Sequence, residues 1–393
     1  MPWKESHVME QRMKFIAAYL QGDWTMTDLC EQFGVSRETG YRLVRRYCSE
    51  GIDGFRNRSR APRRHPNETP AEIVRLIVAA RRKHPHWGAR TLRDWLKRRH
   101  PQQVWPAPST IGAHLNRHGL LRARRLRRRT PGGPATGGLV QEANEVWSAD
   151  FKGWFRTRDG QRCDPLTISD NFSRFLLDCQ VVPRLNFSHV QPVFHRAFRE
   201  FGLPRAILTD NGPPFATRGV GGLSALSIWW VKLGIEPRRI QAGKPQQNGR
   251  HERMHRTLHE ATVARPRANR RAQQRAFNEF RSEYNFERPH QALGQKTPAD
   301  LYRSSPRAYP RPFRIEYSDD AQVRRVRTSG EIKWRGHLHF LGEALRGEPV
   351  GLVQLDDRFW RIFFGPIELA TIDDYRHLLL RHPQPLSAIS RGA

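Results

Sequence analysis

Apolar residues near the start of the chain recur with helical spacing. Met13, Ile16, Ala17 and Leu20 predict a first helix, and Leu29, Cys30 and Phe33 a second from Thr27. The break Gly34-Val35-Ser36 leads into a basic segment, Arg37 to Tyr47, with Ser36 as N-cap. Helix, glycine turn and basic helix make a helix-turn-helix pattern over residues 5–60. Arg37, Thr39, Arg42 and Arg45 are its candidate DNA contacts. The plainer reading is a helical hairpin used only for packing; the basic stretch 56–64 that follows weighs against it.

A second helical module, over residues 66–122, opens at Thr69-Pro70-Ala71-Glu72, with Thr69 as N-cap and proline at the first helical position. It reads as a further helix-turn-helix or winged-helix domain, with Trp87 and Trp95 in its core. Residues 123–143 then form a linker. Its basic run contains Arg124, Arg125, Arg127 and Arg128, which suit phosphate contacts, and a Gly/Pro-rich stretch follows.

From residue 144 the pattern changes to strands. One ends at Asp150 and continues to 155, a turn falls at Asp159-Gly160, and further strands are expected near 163–168 and 175–182. A helix with Val193, Phe194, Ala197, Phe198 and Phe201 stops at Gly202, and a strand then runs to Asp210. This β-β-β-α-β order puts two acids on strands of one mixed sheet, in a core over 144–303. After Pro306, Pro310 and Pro312, six short β-like runs predict a small SH3-like β-barrel over 310–378. Residues 379–393 are expected to be a disordered tail.

Composition narrows the function. In 393 residues the formal charge is +30, which excludes an ordinary metabolic enzyme as the default and implies a polyanion partner. The four cysteines, Cys30, Cys48, Cys163 and Cys179, are widely spaced, so reduced, packed thiols are expected rather than a disulfide framework or zinc module. No apolar run reaches membrane-spanning length. The expectation is a cytoplasmic, nucleoid-associated protein with no membrane partner.

Three acids stand in suggestive settings: Asp150 after Val146-Trp147-Ser148-Ala149, Asp210 before Asn211-Gly212, and Glu252 after Pro245-Gln246-Gln247-Asn248-Gly249-Arg250-His251. Three carboxylates at one point can hold two Mg²⁺ ions, which favour hard oxygen ligands and together activate the attacking oxygen and stabilise the leaving oxygen of a phosphodiester. Asp150, on the central strand, is the candidate bridge between the ions, with Asp210 on one and Glu252 on the other. Without metal the three repel, so at least one should hold its proton tightly. Glu236 and Glu260 are alternatives for the third acid, and no His or Cys cluster competes.

Trp147-Ser148-Ala149-Asp150-Phe151, Leu208-Thr209-Asp210-Asn211-Gly212 and the stretch from Pro245 to Glu252 resemble the three signatures of the DDE integrase/transposase superfamily, which includes retroviral integrases and bacterial insertion-sequence transposases. The segment from Tyr284 to Leu293, with Thr297-Pro298-Ala299, is similar to one in insertion-sequence transposases. The resemblance implies a ribonuclease H-like core and Asp150, Asp210 and Glu252 as catalytic acids. It also implies two Mg²⁺ ions, replaceable by Mn²⁺, hydrolysis at element ends, and attack of the freed 3′ ends on target DNA. The partners would be double-stranded DNA and, because paired ends are processed, at least a second copy of the chain.

Where relatives often carry Lys or Arg seven positions after the glutamate, this chain has His259. DNA contact therefore falls to Arg256, with Lys244 at the head of the third signature. Asp210 and Glu252 also stand further apart than in many relatives, and the surplus falls on residues 219–230, read as a surface insertion around a buried Trp229-Trp230 pair. Two rivals remain: a DNA-binding protein with a silent core, and a ribonuclease H-type nuclease acting on RNA–DNA hybrids.

Overall fold

The computed structural model describes residues 7–58, 68–121, 140–217, 219–241, 248–310 and 314–381. It divides into two units, Met1–Glu68 and Thr69–Ala393.

The first unit holds α1 (Val8–Gln21), α2 (Met26–Gln32) and α3 (Arg37–Glu50). Phe15, Ile16, Leu29, Cys30, Val44 and Phe55 form its core. Thr25 and Ser36 cap α2 and α3 by accepting from the Asp28 and Thr39 backbone N–H groups. Gly40 lets the helices meet: a Cβ there would lie 2.5 Å from Cys30 Sγ.

In the second unit, α4 (Ala71–Lys83), α5 (Ala89–Arg99) and α6 (Pro108–Arg117) pack around Ile77, Leu92, Ile111, Leu115 and the expected Trp87 and Trp95. Pro70, not Thr69, occupies the N-cap position of α4, with no side-chain cap bond. Among the described residues no strand accompanies these helices.

The large sheet is built from β1 (Val146–Phe151), β2 (Phe155–Arg156), β3 (Arg162–Asp170), β4 (Leu176–Val182), β5 (Ala206–Thr209) and β6 (Glu236–Arg239), with α7 (Phe187–Phe201) and α8 (Ala225–Lys232) between strands. β1 is central, antiparallel to β3 and parallel to β5; β6 lies parallel to β5, and β4 antiparallel to β3. Strand alternation sorts the faces. Trp147, Ala149, Leu166 and Ile168 point to α7 and α8, meeting Val193, Phe194, Phe198 and Trp230. On the other face lie α9 (Gly249–Leu258) and α10 (Arg270–Ser282), whose Met254, Leu258, Phe277 and Phe280 cover Cys163, Leu176 and Cys179.

β4 is an edge strand whose outer backbone groups are met by side chains. Gln274 accepts from Val181 N (2.8 Å) and donates to Cys179 O (2.9 Å). Arg281 donates to Leu177 O (2.7 Å). Asn285, in a π-helical turn over Glu283–Glu287, accepts from Leu176 N (2.8 Å) and donates to Leu176 O (2.9 Å). The edge is thereby closed to pairing. The same turn is a docking point for the helical module. His84 Nδ1 lies 3.1 Å from Glu283 Oε1, Arg99 3.5 Å from Glu287, and Arg98 2.7 Å from Asp300 at the start of α11 (Pro298–Leu301).

The last segment departs from expectation. β7 (Gln322–Arg325), β8 (Glu331–Trp334), β9 (His337–Phe340), β10 (Pro349–Gln354), β11 (Phe359–Phe364), β12 (Ile367–Asp373) and β13 (Leu378–Arg381) form an open antiparallel sheet, β13-β12-β11-β10-β7, plus the β8–β9 hairpin. It is no closed barrel. β7 is short and exposed along its whole length, Val323 included, so it offers no buried face to complete one. β13 places residues 379–381 in a strand rather than in the expected tail; residues 382–393 lie outside those described.

Residues 219–230 are no surface insertion either. α8 is apolar on all sides. Leu226, Trp229 and Trp230 enter the core of the large sheet, while Val220, Leu223, Ile228 and Val231 enter the core of the C-terminal sheet. Lys232 Nζ to Glu348 Oε1 (2.9 Å) and Val220 N to Leu341 O (2.7 Å) reinforce that contact. The four cysteines are free; Cys30, Cys163 and Cys179 are buried as expected, but Cys48 is exposed, because it lies on the outer side of α3.

Candidate active site

Asp150 lies near the end of β1, and Asp210 directly follows β5. The two strands pair in parallel with Ser148 opposite Leu208, so the register carries both acids to the same end of adjacent strands. Alternation turns Ser148 and Asp150 toward the α9 face, opposite to Trp147 and Ala149. Glu252 is in the first turn of α9 and exposed.

A buried polar cluster ties α9 to the sheet. Thr167, the cross-strand partner of Asp150, donates from Oγ1 to Asp150 O (3.0 Å). The same Oγ1 lies 2.7 Å from His251 Nε2 and 2.7 Å from His255 Nε2. Ser169 Oγ is 2.8 Å from His251 Nδ1. Asn248, which precedes α9, approaches Asp150 Oδ2 with Nδ2 at 3.5 Å, while its Oδ1 is buried and has no hydrogen-bond partner among the described residues.

The electrostatics match the expectation of a tightly held proton. Asp150 is pushed up to about 7, first by burial and then by the Asp210 carboxylate; the Phe151 backbone N–H pulls the other way, and Glu252 adds to the rise. Asp210 is raised by burial against the opposing Gly212 N–H, 3.1 Å from its Oδ1. Burial depresses His251 to about 3. His255 falls to about 2, again through burial first, with the His251 ring and Lys152 adding to it. Both imidazoles are therefore neutral.

Asp150 thus feels both other acids, yet among the described residues no three His, Cys, Asp or Glu side chains are gathered into a ready-made metal cage. The donor chemistry nevertheless suits a divalent cation. Around Asp150 stand the Asp210 and Glu252 carboxylates, the Asn248 amide and His255 Nδ1, 3.9 Å from Oδ2, and adjacent acids at strand ends, only weakly offset by Lys152, are what a hard cation neutralises.

Of the alternatives, Glu236 pairs with Ala206 at the opposite end of β5 and is bound to Arg238 at 2.8 Å. Glu260 is exposed, beyond α9 in the π-helical turn His259–Val263. Arg256 is exposed on α9. In the first unit Arg37, Arg42 and Arg45 are exposed on α3, whereas Thr39 is half-buried and engaged with the Ser36 cap. Arg124, Arg125, Arg127, Arg128 and Lys244 lie outside the described residues. Sequence reasoning missed His251, His255, Thr167 and Ser169. Their signal was present as an i, i+4 histidine pair flanking Glu252 and two hydroxyl residues alternating along a strand.

Comparison with known proteins places these parts. Two Integrase core domain models match residues 140–245 and 233–298. A Helix-turn-helix domain matches 11–63, a Homeodomain-like domain 39–115, and the C-terminal domain of IS481 family transposases 321–377. The Insertion element IS407 uncharacterized 31.7 kDa protein of Burkholderia multivorans is 33% identical over 159 residues, 40% of this chain and 55% of that protein. The Insertion element IS476 uncharacterized 39.2 kDa protein of Xanthomonas euvesicatoria is 28% identical over 253 residues, 62% of this chain and 69% of its own. The chain therefore spans about half the length of the first relative. The HTLV-2 integrase catalytic core domain in complex with magnesium aligns at 16% identity over 41% of this chain and 98% of that one, with a TM-score of 0.32. No helix among the described residues is long and apolar enough to cross a membrane.

Proposed function

From a chain built as an insertion-sequence transposase, with helix-turn-helix modules, an integrase core and an IS481-family C-terminal domain, we propose a DNA transposase that hydrolyses phosphodiesters at element ends and joins the 3′ ends to target DNA. The observation that carries this reading is the pairing of β1 with β5. It sets Asp150 beside Asp210, at the sheet face that the Glu252 helix covers.

Asp150, Asp210 and Glu252 are the groups that would hold two Mg²⁺ ions, or Mn²⁺ in their place. Such ions supply charge neutralisation and activation of the attacking and leaving oxygens. The chain's own part is to aim and confine. The parallel register fixes two carboxylates, the buried imidazoles hold α9 against β3, and Asn248 presents its amide to Asp150. Arg256, exposed one turn beyond Glu252, is positioned to meet a phosphate, and Arg37, Arg42 and Arg45 present charge from the helix-turn-helix unit. Double-stranded DNA is the substrate. Because two ends are joined, at least two copies of the chain act together.

The test is incubation with a labelled duplex carrying the DNA that borders the gene, with Mg²⁺ or Mn²⁺, beside Asp150→Asn. Metal-dependent nicking and joining by the wild type alone supports the proposal. Tight binding without nicking under either ion sinks it and leaves the DNA-binding protein with a silent core. Cleavage of RNA–DNA hybrids but not duplex DNA would instead favour the nuclease.

A further inference from the structure

A polar contact between a helix and a sheet is usually weaker than an apolar one, so a buried cluster at such an interface calls for a reason. Here the rest of α9 packs by ordinary means, through Met254 and Leu258. Only the turn that bears Glu252 uses two buried histidines on one hydroxyl. That hydroxyl has one proton and two acceptor lone pairs. Its three neighbours are Asp150 O at 3.0 Å and the Nε2 atoms of His251 and His255, each at 2.7 Å. The carbonyl can only accept, so Thr167 gives its proton to it, and both imidazoles must then donate from Nε2. His251 Nδ1 is left to accept from Ser169 Oγ at 2.8 Å. The hydroxyl's capacity is used in full, with one arrangement of protons.

We propose that Thr167 is the positioning residue for the third acid. Through His251 and His255 it fixes the rotation and axial setting of α9, and so aims Glu252 at Asp150, whose backbone it holds at the same time.

The helix geometry makes this specific. About the helix axis His251 and His255 lie about 40° apart, and Glu252 lies about 100° from the first and about 60° from the second, so it projects to one side of the imidazole pair. An apolar contact tolerates slip by a fraction of a turn, whereas two directed bonds to one oxygen do not. The inference rests on the proposed transposase reading, since only there does the aim of Glu252 matter.

The experiment compares Thr167→Val, which keeps shape and loses the hydroxyl, with Thr167→Ser, which keeps the hydroxyl. Cleavage rate on saturating end DNA, affinity for that DNA, and the Mg²⁺ concentration for half-maximal rate are measured. For valine the expected result is a rate lower by at least about tenfold, a raised Mg²⁺ requirement and unchanged DNA affinity, because two buried N–H groups lose their acceptor. Serine should restore all three to within about twofold. If valine cleaves like wild type, or if serine fails alongside it, the inference is overturned. Should valine fail to fold, Ser169→Ala removes only the outer bond of the cluster and should give a smaller loss in the same direction; full activity there counts against the proposal.

Nitrogen-15 spectra of the metal-free wild type give a readout independent of cleavage. Both rings should appear as the Nε2–H tautomer, and an Nδ1–H tautomer at His255 overturns the proton arrangement. A wild type that shows those tautomers but never cleaves refutes the transposase reading and leaves the cluster standing.

Discussion

Replacing Asp150 by asparagine should stabilise the metal-free protein while abolishing cleavage. The carboxyl is raised from 3.8 to about 7, by burial and by the charge of Asp210 ahead of that of Glu252. At about 1.4 kcal/mol per pH unit, that is a ceiling of about 4 kcal/mol against the ionised form. A fifth of the side chain (20%) is open to solvent, and screening there lowers the expected gain to about 2 kcal/mol. The unfolded chain releases this proton near 3.8 and the folded one near 7, so the native state holds more protons in between. The contribution of Asp150 to stability therefore falls as pH rises through that window and is level above it; asparagine removes this contribution and leaves the smaller one of Asp210. Melting in EDTA should show the variant a few degrees higher at about pH 8 and equal to wild type below the window. Added Mg²⁺ should then raise the wild type alone and narrow the gap. A variant no more stable than wild type at about pH 8 without metal would refute the picture of mutually repelling acids.

Asn285→Ala should cost about 3 kcal/mol in urea unfolding, because the N–H and C=O of Leu176 both lose their partner in a buried setting; a change below about 1 kcal/mol would show that the β4 edge does not depend on it. Alanine at Arg37, Arg42 and Arg45 together should lower selectivity for end DNA and flatten the salt dependence of binding, read from footprints and a titration in NaCl; unchanged footprints would remove α3 from the DNA surface. Truncation after residue 310 should give insoluble protein, since it bares Val220, Ile228 and Val231; a soluble, monomeric fragment would contradict this.

Much of the site was legible because strand alternation and turn chemistry are local. Asp150 and Asp210 could be placed on strands of one sheet, and Glu252 on a helix, from residues a few positions away; that the two strands are neighbours was not legible. What joins α9 to β3 was not legible. His251 and Thr167 are far apart in sequence, and a buried histidine looks in sequence like an exposed one until its partner is known. The first unit was readable down to the Ser36 cap, but not the close approach that needs Gly40, which depends on where Cys30 falls across the helix pair. Six of the seven C-terminal strands were placed to within a residue or two and β13 was missed, and barrel closure failed, since closure is a property of the two end strands together. The stretch 219–230 was misread because an extra segment rich in glycine resembles a loop. Its deciding feature, apolar residues on every side of α8, has meaning only when two cores are present to receive them.

That doubly received helix bears on how force and geometry pass through the molecule. A domain joined by a Pro-rich strand alone would swivel, and whatever it gripped would drift relative to the scissile bond. Here α8 is a shared keel, so the C-terminal sheet and the large sheet should melt as one cooperative block and turn as one rigid body. Any duplex touching both would be held at a constant bearing to Asp150. On the transposase reading, freedom to search for a second end or a target would then come from elsewhere in the chain.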